Sequence, residues 1–202
     1  MTLYAVKPAF QRLLRPLAYA LADRGITANA VTLSAMLLSV LLGALLADMI
    51  VLGWSRWLWL LLPVFLFVRM ALNAIDGLMA RERNQVSRVG AYLNELGDVM
   101  SDSALYLPFA LLPGGWPAAV LVALSAAGEL AGVLAQTQGA ARRYDGPLGK
   151  SDRALWFSVL ALLLAFGVRP GSWLSGVLLL GCLLSALTVW NRVRRGLAEV
   201  QP

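Results

Sequence analysis

Apolar and polar residues segregate into blocks along this chain. Six apolar runs, at about 30–51, 57–75, 94–112, 118–136, 155–168 and 173–190, are separated by short polar segments. At 1.5 Å per residue, about 20 helical residues cross a hydrocarbon core of about 30 Å. The runs show no helical or strand periodicity, so a helix built from one is apolar on every side, as helices in lipid are. The pattern predicts an all-α integral membrane protein with six transmembrane helices, folded as a single domain over 1–202. Residues 29–191 form the six-helix bundle and 192–202 a cytoplasmic tail. Residues 1–28 read differently. Over 5–23, Lys7, Arg12 and Arg15 interleave with Phe10, Leu13, Leu14, Leu17 and Leu21, which predicts an amphipathic helix lying in the membrane interface. Gly25 ends it, and Thr27 or Asn29 offers the N-cap of the next helix.

Charge placement sets the orientation. Of the 17 Lys and Arg residues, Arg56 and Arg169 fall in loops on one side, and Arg69 lies within the second run. The other 14 cluster on the opposite side, including Arg81, Arg83, Arg88, Arg142, Arg143, Lys150, Arg153 and Arg192. The positive-inside rule then puts both termini and the loops near 81–88 and 140–153 in the cytoplasm, with the protein in the plasma (inner) membrane. The net charge of +6 thus reads as topology, and no nucleic-acid partner is expected. The 59% hydrophobic content exceeds the roughly half of a soluble domain. With one cysteine, Cys182, and no histidine, an intrachain disulfide, a Cys/His zinc site and a histidine base are all excluded. Any metal must sit on oxygen ligands, which suits Mg²⁺, Mn²⁺ or Ca²⁺. The N-terminus lacks the continuous apolar stretch of a signal peptide.

Against this apolar background, the segment from Asn73 to Asp102 stands out, because it carries Asp76, Glu95, Asp98 and Asp102. Each carboxylate at the edge of hydrocarbon costs roughly 2.5–3.5 kcal/mol on the insertion scale, and such residues mark function. Asn73, Asp76 and Ala80 are spaced i, i+3, i+7, and Asn94, Asp98 and Asp102 are spaced i, i+4, i+8, so each set shares one helical face. Two helix ends joined by a short basic loop can bring these oxygens together. Gly77, Ala80 and Gly90 leave space beside them for a flat or phosphate-bearing ligand.

The same segment resembles the signature of the CDP-alcohol phosphatidyltransferases, D-x-x-D-G-x-x-A-R, then eight or nine residues, then G-x-x-x-D-x-x-x-D. Asp76-Gly77 and Ala80-Arg81 match, eight residues follow, and Gly90 and Asp98 take their places. The first and third aspartates are Asn73 and Asn94 here. Outside the motif, Gly25–Leu33 is similar to the family's lead into its first span, and the GKSDRA segment from Gly149 to its basic stretch before the fifth.

The resemblance implies a reaction in phospholipid synthesis. A phosphatidyl group passes from CDP-diacylglycerol, or a similar CDP-linked lipid, to the hydroxyl of a small alcohol, and CMP leaves. It implies one or two Mg²⁺ or Mn²⁺ ions as cofactor, held by Asp76 and Asp98, with Asn73 and Asn94 as weaker, neutral ligands or as contacts to the nucleotide. Asp102 or Glu95 could supply the missing charge. Asp98 would be the base, Gly77, Ala80 and Gly90 would make room for the nucleotide, and Arg81 would meet phosphate or fix the site's carboxylates. A homodimer is also implied. The alternative is a catalytically inactive lipid- or nucleotide-binding protein on the same fold, its chemistry lost with the two asparagines. Lys150, Arg142 and Arg153 could bind a phosphate on the acceptor. Glu129, in mid-span, points to a contact inside the bundle: an ion pair, for which Arg69 is the candidate, or a place in the acceptor pocket.

Overall fold

The computed structural model describes residues 7–200; the ends of the expected interfacial segment and tail, 1–6 and 201–202, lie outside the described residues. Seven α-helices account for nearly all of it, and among the described residues there is no strand. The helices are α1 (Lys7–Asp23), α2 (Ala28–Leu52), α3 (Leu61–Glu82), α4 (Arg88–Tyr106), α5 (Pro117–Thr137), α6 (Lys150–Ala165) and α7 (Ser172–Val200). A 3₁₀ turn, Arg56–Leu60, leads into α3, and another, Leu107–Leu111, prolongs α4. Thr27 is the N-cap of α2, its side chain accepting from the Ala30 amide. Gly53 closes the same helix in the left-handed conformation, at φ 68°, where a Cβ would be strained.

A helix forms over each of the six apolar runs, but the helix lengths differ from those of the runs. Four are long and apolar enough to cross a membrane: Ala28–Leu52, Arg56–Glu82, Pro117–Thr137 and Ser172–Val200. Helix α4 carries Glu95, Asp98 and Asp102 along its length, and α6 has only 16 residues. Helices also run on past the apolar runs. Helix α3 carries the acidic segment to Glu82, and α7 continues through Val200, so the stretch expected as a tail is helix where described. A helix needs only its own backbone hydrogen bonds to continue, and charged residues do not interrupt these once it leaves the apolar layer.

The large core cluster fills the bundle among α2 to α7, with Leu46, Leu62, Leu105, Leu121, Phe157 and Leu178 among its members. Tyr106 stacks on Phe157 with ring centroids 4.0 Å apart. Helix α5 packs along α7, and α2 along α4 and α3. At the α2–α4 crossing, a Cβ on Gly43 would stand 2.1 Å from the Ala104 carbonyl oxygen, so only glycine allows the approach. Leu37, Leu41, Val64, Phe67, Leu130 and Leu183 are exposed around the outside, where lipid rather than water would meet them.

A smaller cluster, Ala18, Val31, Ile75, Leu78 and Met79, fastens α1 to α2 and the end of α3. Arg15 and Tyr19 both reach Glu82, and Arg83 reaches Asp23. Leu13 and Leu17 stay exposed on α1.

Candidate active site

The site forms where the end of α3, the start of α4 and the start of α6 meet. Five residues, 83–87, connect α3 to α4, so the two motif halves lie side by side. Ser87 caps α4 by accepting from the Gly90 amide. Gln85 Oε1 accepts from the Ala28 amide at 2.7 Å, so this loop also closes the start of α2. Gly90 faces α2: a Cβ there would come within 2.7 Å of Asn29 Oδ1.

Asp76 is buried, and its Oδ2 accepts from Thr32 Oγ1 at 2.7 Å. Asp98 is part-buried one helix over. Its Oδ1 lies 3.4 Å from Asn73 Nδ2 and from Arg69 Nη2, and 2.5 Å from Lys150 Nζ. The four motif positions therefore stand on two adjoining helices, with Asn73 bonded across to Asp98. Asn73 and Asn94 spend their amide N–H groups on the carboxylates of Asp98 and Glu95, and their carbonyl oxygens remain as neutral donors. The Arg81 guanidinium lies beside Gly77, 3.2 Å from where a Cβ would be. Arg81 is exposed and forms no ion pair among the described residues.

Behind this front lies a buried chain of ion pairs. Asp102 gives one oxygen to Arg69 Nη1 at 2.6 Å and the other to Arg153 Nη2 at 3.0 Å. The same Arg153 nitrogen meets Glu129 Oε1 at 2.9 Å, and Glu129 Oε2 meets Arg192 Nη1 at 3.2 Å and Arg142 Nη2 at 3.6 Å. Arg142 also pairs with Glu95. Arg192 further donates to the Gly128 carbonyl at 2.6 Å. Asp102 is hydrogen-bonded to both of its arginines and Glu129 to Arg153, and such pairing is what makes the charges tolerable in a dry interior.

Several expectations take a different form here. Glu129 meets Arg153, Arg192 and Arg142 rather than Arg69: α5 packs along α7, which carries Arg192, while Arg69 is taken up by Asp102 and Asp98 of α4. Asp102 and Glu95 hold guanidinium groups, and so do not lie open to an ion. Lys150 reaches Asp98, while Arg142 and Arg153 point into the carboxylates of α4 and α5. Thr32 and Arg192 were not singled out by sequence. Thr32 shares its apolar run with Ser34 and Ser39, so nothing in the sequence marks it out, and Arg192 is indistinguishable there from the other basic residues that follow the last run.

The donor chemistry fits a hard divalent ion. Asp76 and Asp98 with the carbonyl oxygens of Asn73 and Asn94 make an all-oxygen set, and Asp98 already carries a cation, the Lys150 ammonium. Among the described residues, no three Asp, Glu, Cys or His side chains converge as a metal-binding group. An ion held here would need the asparagines as well.

An all-helical membrane protein with a carboxylate–amide site at one end of its bundle, spaced as above, defines a class. A family model described as CDP-alcohol phosphatidyltransferase matches residues 25–191, and the chain belongs to that family. It is 48% identical over 197 residues to the inner membrane protein YnbA of Escherichia coli (strain K12), covering 96% of this chain and 94% of that one. The fold is similar to the phosphatidylinositol phosphate synthase PgsA1 of Mycobacterium tuberculosis at 22% identity. In its complex with manganese and citrate the TM-score is 0.74, covering 91% of this chain and 88% of PgsA1. With CDP-DAG bound it is also 0.74, covering 92% and 94%.

Proposed function

We propose that this protein transfers a phosphatidyl group from CDP-diacylglycerol, or a similar CDP-linked lipid, to the hydroxyl of a small alcohol, releasing CMP. The observation that carries this is Asp98 held against Asn73, one turn from Asp76, with Lys150 of α6 at its carboxylate. Family membership and the CDP-DAG-bound structure of PgsA1 support the choice of donor.

Asp76, Asp98, Asn73 and Asn94 would hold Mg²⁺ or Mn²⁺, which when bound neutralises the diphosphate and the departing CMP. Thr32 fixes the rotamer of Asp76. Arg81, exposed and without a carboxylate partner among the described residues, meets the donor's phosphates, and the small faces of Gly77 and Ala80 admit the nucleotide. Asp98 takes the proton of the acceptor hydroxyl as its oxygen bonds to the β-phosphorus and the bond from that phosphorus to CMP breaks. Arg69, bonded to both Asp102 and the Asp98 backbone carbonyl, positions α4 for this. The bundle spans the membrane six times as a homodimer, with the site and both termini cytoplasmic and α1 in the interface. The exposed Leu13 and Leu17 and the basic loops support that placement.

The test is CMP release from CDP-diacylglycerol by purified protein with Mg²⁺ or Mn²⁺ and a panel of alcohols. Release should depend on the ion, and Asp98→Asn should lower it by about 100-fold or more. Unchanged release by Asp98→Asn, or none with any alcohol, refutes the reading and favours a non-catalytic binding protein.

A further inference from the structure

The three helices that carry the site also enclose a cavity at their opposite ends. Arg56 and Trp59 lie in the 3₁₀ turn that leads into α3, and Leu112 follows the turn that prolongs α4. Leu164 is in the last turn of α6, and Arg169 lies just past its end. All five line one cavity of about 210 Å³. About 10–15 Å³ of such space holds one water, so a group of several heavy atoms fits. Trp59 and Leu164 are buried and give the cavity an apolar wall. Beside it, the exposed rings of Trp57 and Phe166 meet edge to face at 6.1 Å.

The charge at this end is uncompensated. Arg56 and Arg169 are the two basic residues that the sequence places away from the other clusters, and both border this cavity. Neither forms an ion pair among the described residues. Of the 11 Asp and Glu residues, Asp48, in the last turns of α2, is the one placed near this end, and it pairs with neither arginine. Both arginines stand on anchored backbone. Gly167 has φ 93°, and a Cβ there would come within 3.3 Å of Arg56 Nη1, so glycine serves the turn and the guanidinium at once. The same guanidinium lies 5.6 Å from the Trp57 ring centroid. The Arg169 carbonyl accepts from Trp173 Nε1 at 2.8 Å.

The height of the cavity indicates the source of its anion. Arg56 and Asp76 are 20 positions apart along almost continuous helix. That is about 30 Å, the thickness of the hydrocarbon core. With the site at one headgroup level, the cavity stands at the other. A phosphodiester there accepts charge-assisted hydrogen bonds from guanidinium groups. A headgroup ammonium would bring a like charge toward the same arginines.

We infer that this cavity binds the phosphodiester of an anionic phospholipid from the leaflet opposite the site, with its acyl chains against Trp57 and Phe166. The inference needs the bundle to cross the bilayer, and is independent of the transferase activity.

The test uses the purified full chain in dodecyl maltoside and a phosphatidylglycerol with a dansyl group on its acyl chain, followed by energy transfer from tryptophan. Transfer should saturate, and unlabelled phosphatidylglycerol should displace the probe at least about tenfold better than phosphatidylcholine. Inorganic phosphate, against chloride at equal ionic strength, should displace none. Arg56→Gln/Arg169→Gln should weaken binding at least about tenfold, the effect of losing a charge-assisted hydrogen bond. Arg81→Gln, at the other end of the bundle, should bind as the parent does. If the double variant does not fold, Arg169→Gln alone, which leaves Arg56 on Trp57 and Gly167, should weaken binding about threefold or more. Displacement by inorganic phosphate would make this a free-phosphate site and overturn the lipid assignment. No preference over phosphatidylcholine, unchanged binding by a folded arginine variant, or loss with Arg81→Gln instead would overturn the site itself.

Discussion

Replacing Asp102 with asparagine separates two readings of that carboxylate, as a metal ligand or as the centre of the buried ion-pair chain. The substitution keeps the shape and removes one charge from between two arginines that are nearly inaccessible to solvent. Removing one partner of a buried pair costs about 3–5 kcal/mol. Each arginine keeps a second carboxylate, Arg69 at 3.4 Å from Asp98 and Arg153 at 2.9 Å from Glu129, so the lower end, about 3 kcal/mol, is expected. For a chain of this length, about 2–4 °C of melting temperature accompanies each kcal/mol, giving a drop of about 6–12 °C. Tryptophan fluorescence can follow unfolding in detergent with EDTA present, since the chain has seven tryptophans. A metal ligand would behave oppositely, leaving metal-free stability alone and weakening Mn²⁺ binding. Melting of Asp102→Asn within about 1 °C of the parent, without metal, would refute the ion-pair account.

Three further outcomes follow from the packing. Gly43→Ala must move α2 away from the Ala104 carbonyl and should cost about 1–3 kcal/mol; melting unchanged from the parent would show that the crossing relaxes freely. Glu82→Gln loosens the exposed contacts of α1 with Arg15 and Tyr19 but should leave the melting temperature close to the parent's, since exposed pairs contribute little. A larger loss in a melting experiment would mean that these contacts, rather than the apolar seam of Ala18, Ile75 and Met79, hold α1. In the loop before α6, burial works to raise the Asp145 carboxyl, but hydrogen bonds from Arg143 and Arg195 outweigh it and hold it below the usual carboxylate range. A group depressed on folding stabilises above its unfolded value, about 3.9, and loses that contribution as pH falls through its folded value. The stability gap between parent and Asp145→Asn should therefore be full at pH 6 and shrink progressively below about pH 4; a gap that widens on acidification would contradict this.

Much of the architecture could be read without coordinates, because the property that decides it is local. A run such as Ala30–Val51 has no way to satisfy its backbone in lipid except as a helix, and the helices appear where the runs are. The site's front was legible for a similar reason: Asn73, Asp76, Asn94 and Asp98 lie at intervals that put them on two helix faces joined by five residues. What lies behind the front was not legible. Whether Glu129 meets Arg69 or Arg153 depends on which helices adjoin across the bundle, and every apolar run looks alike to its neighbours. Arg142, Arg153 and Arg192 are separated from Glu129 by 13, 24 and 63 positions along the chain, and nothing in those intervals says that one carboxylate holds all three. Composition and spacing thus determined that the protein is a helical membrane bundle with an oxygen-lined site. Only the tertiary arrangement decided which charges are spent on one another and which remain for a ligand, since pairing in a low-dielectric interior is set by distances of a few ångströms between elements remote in sequence.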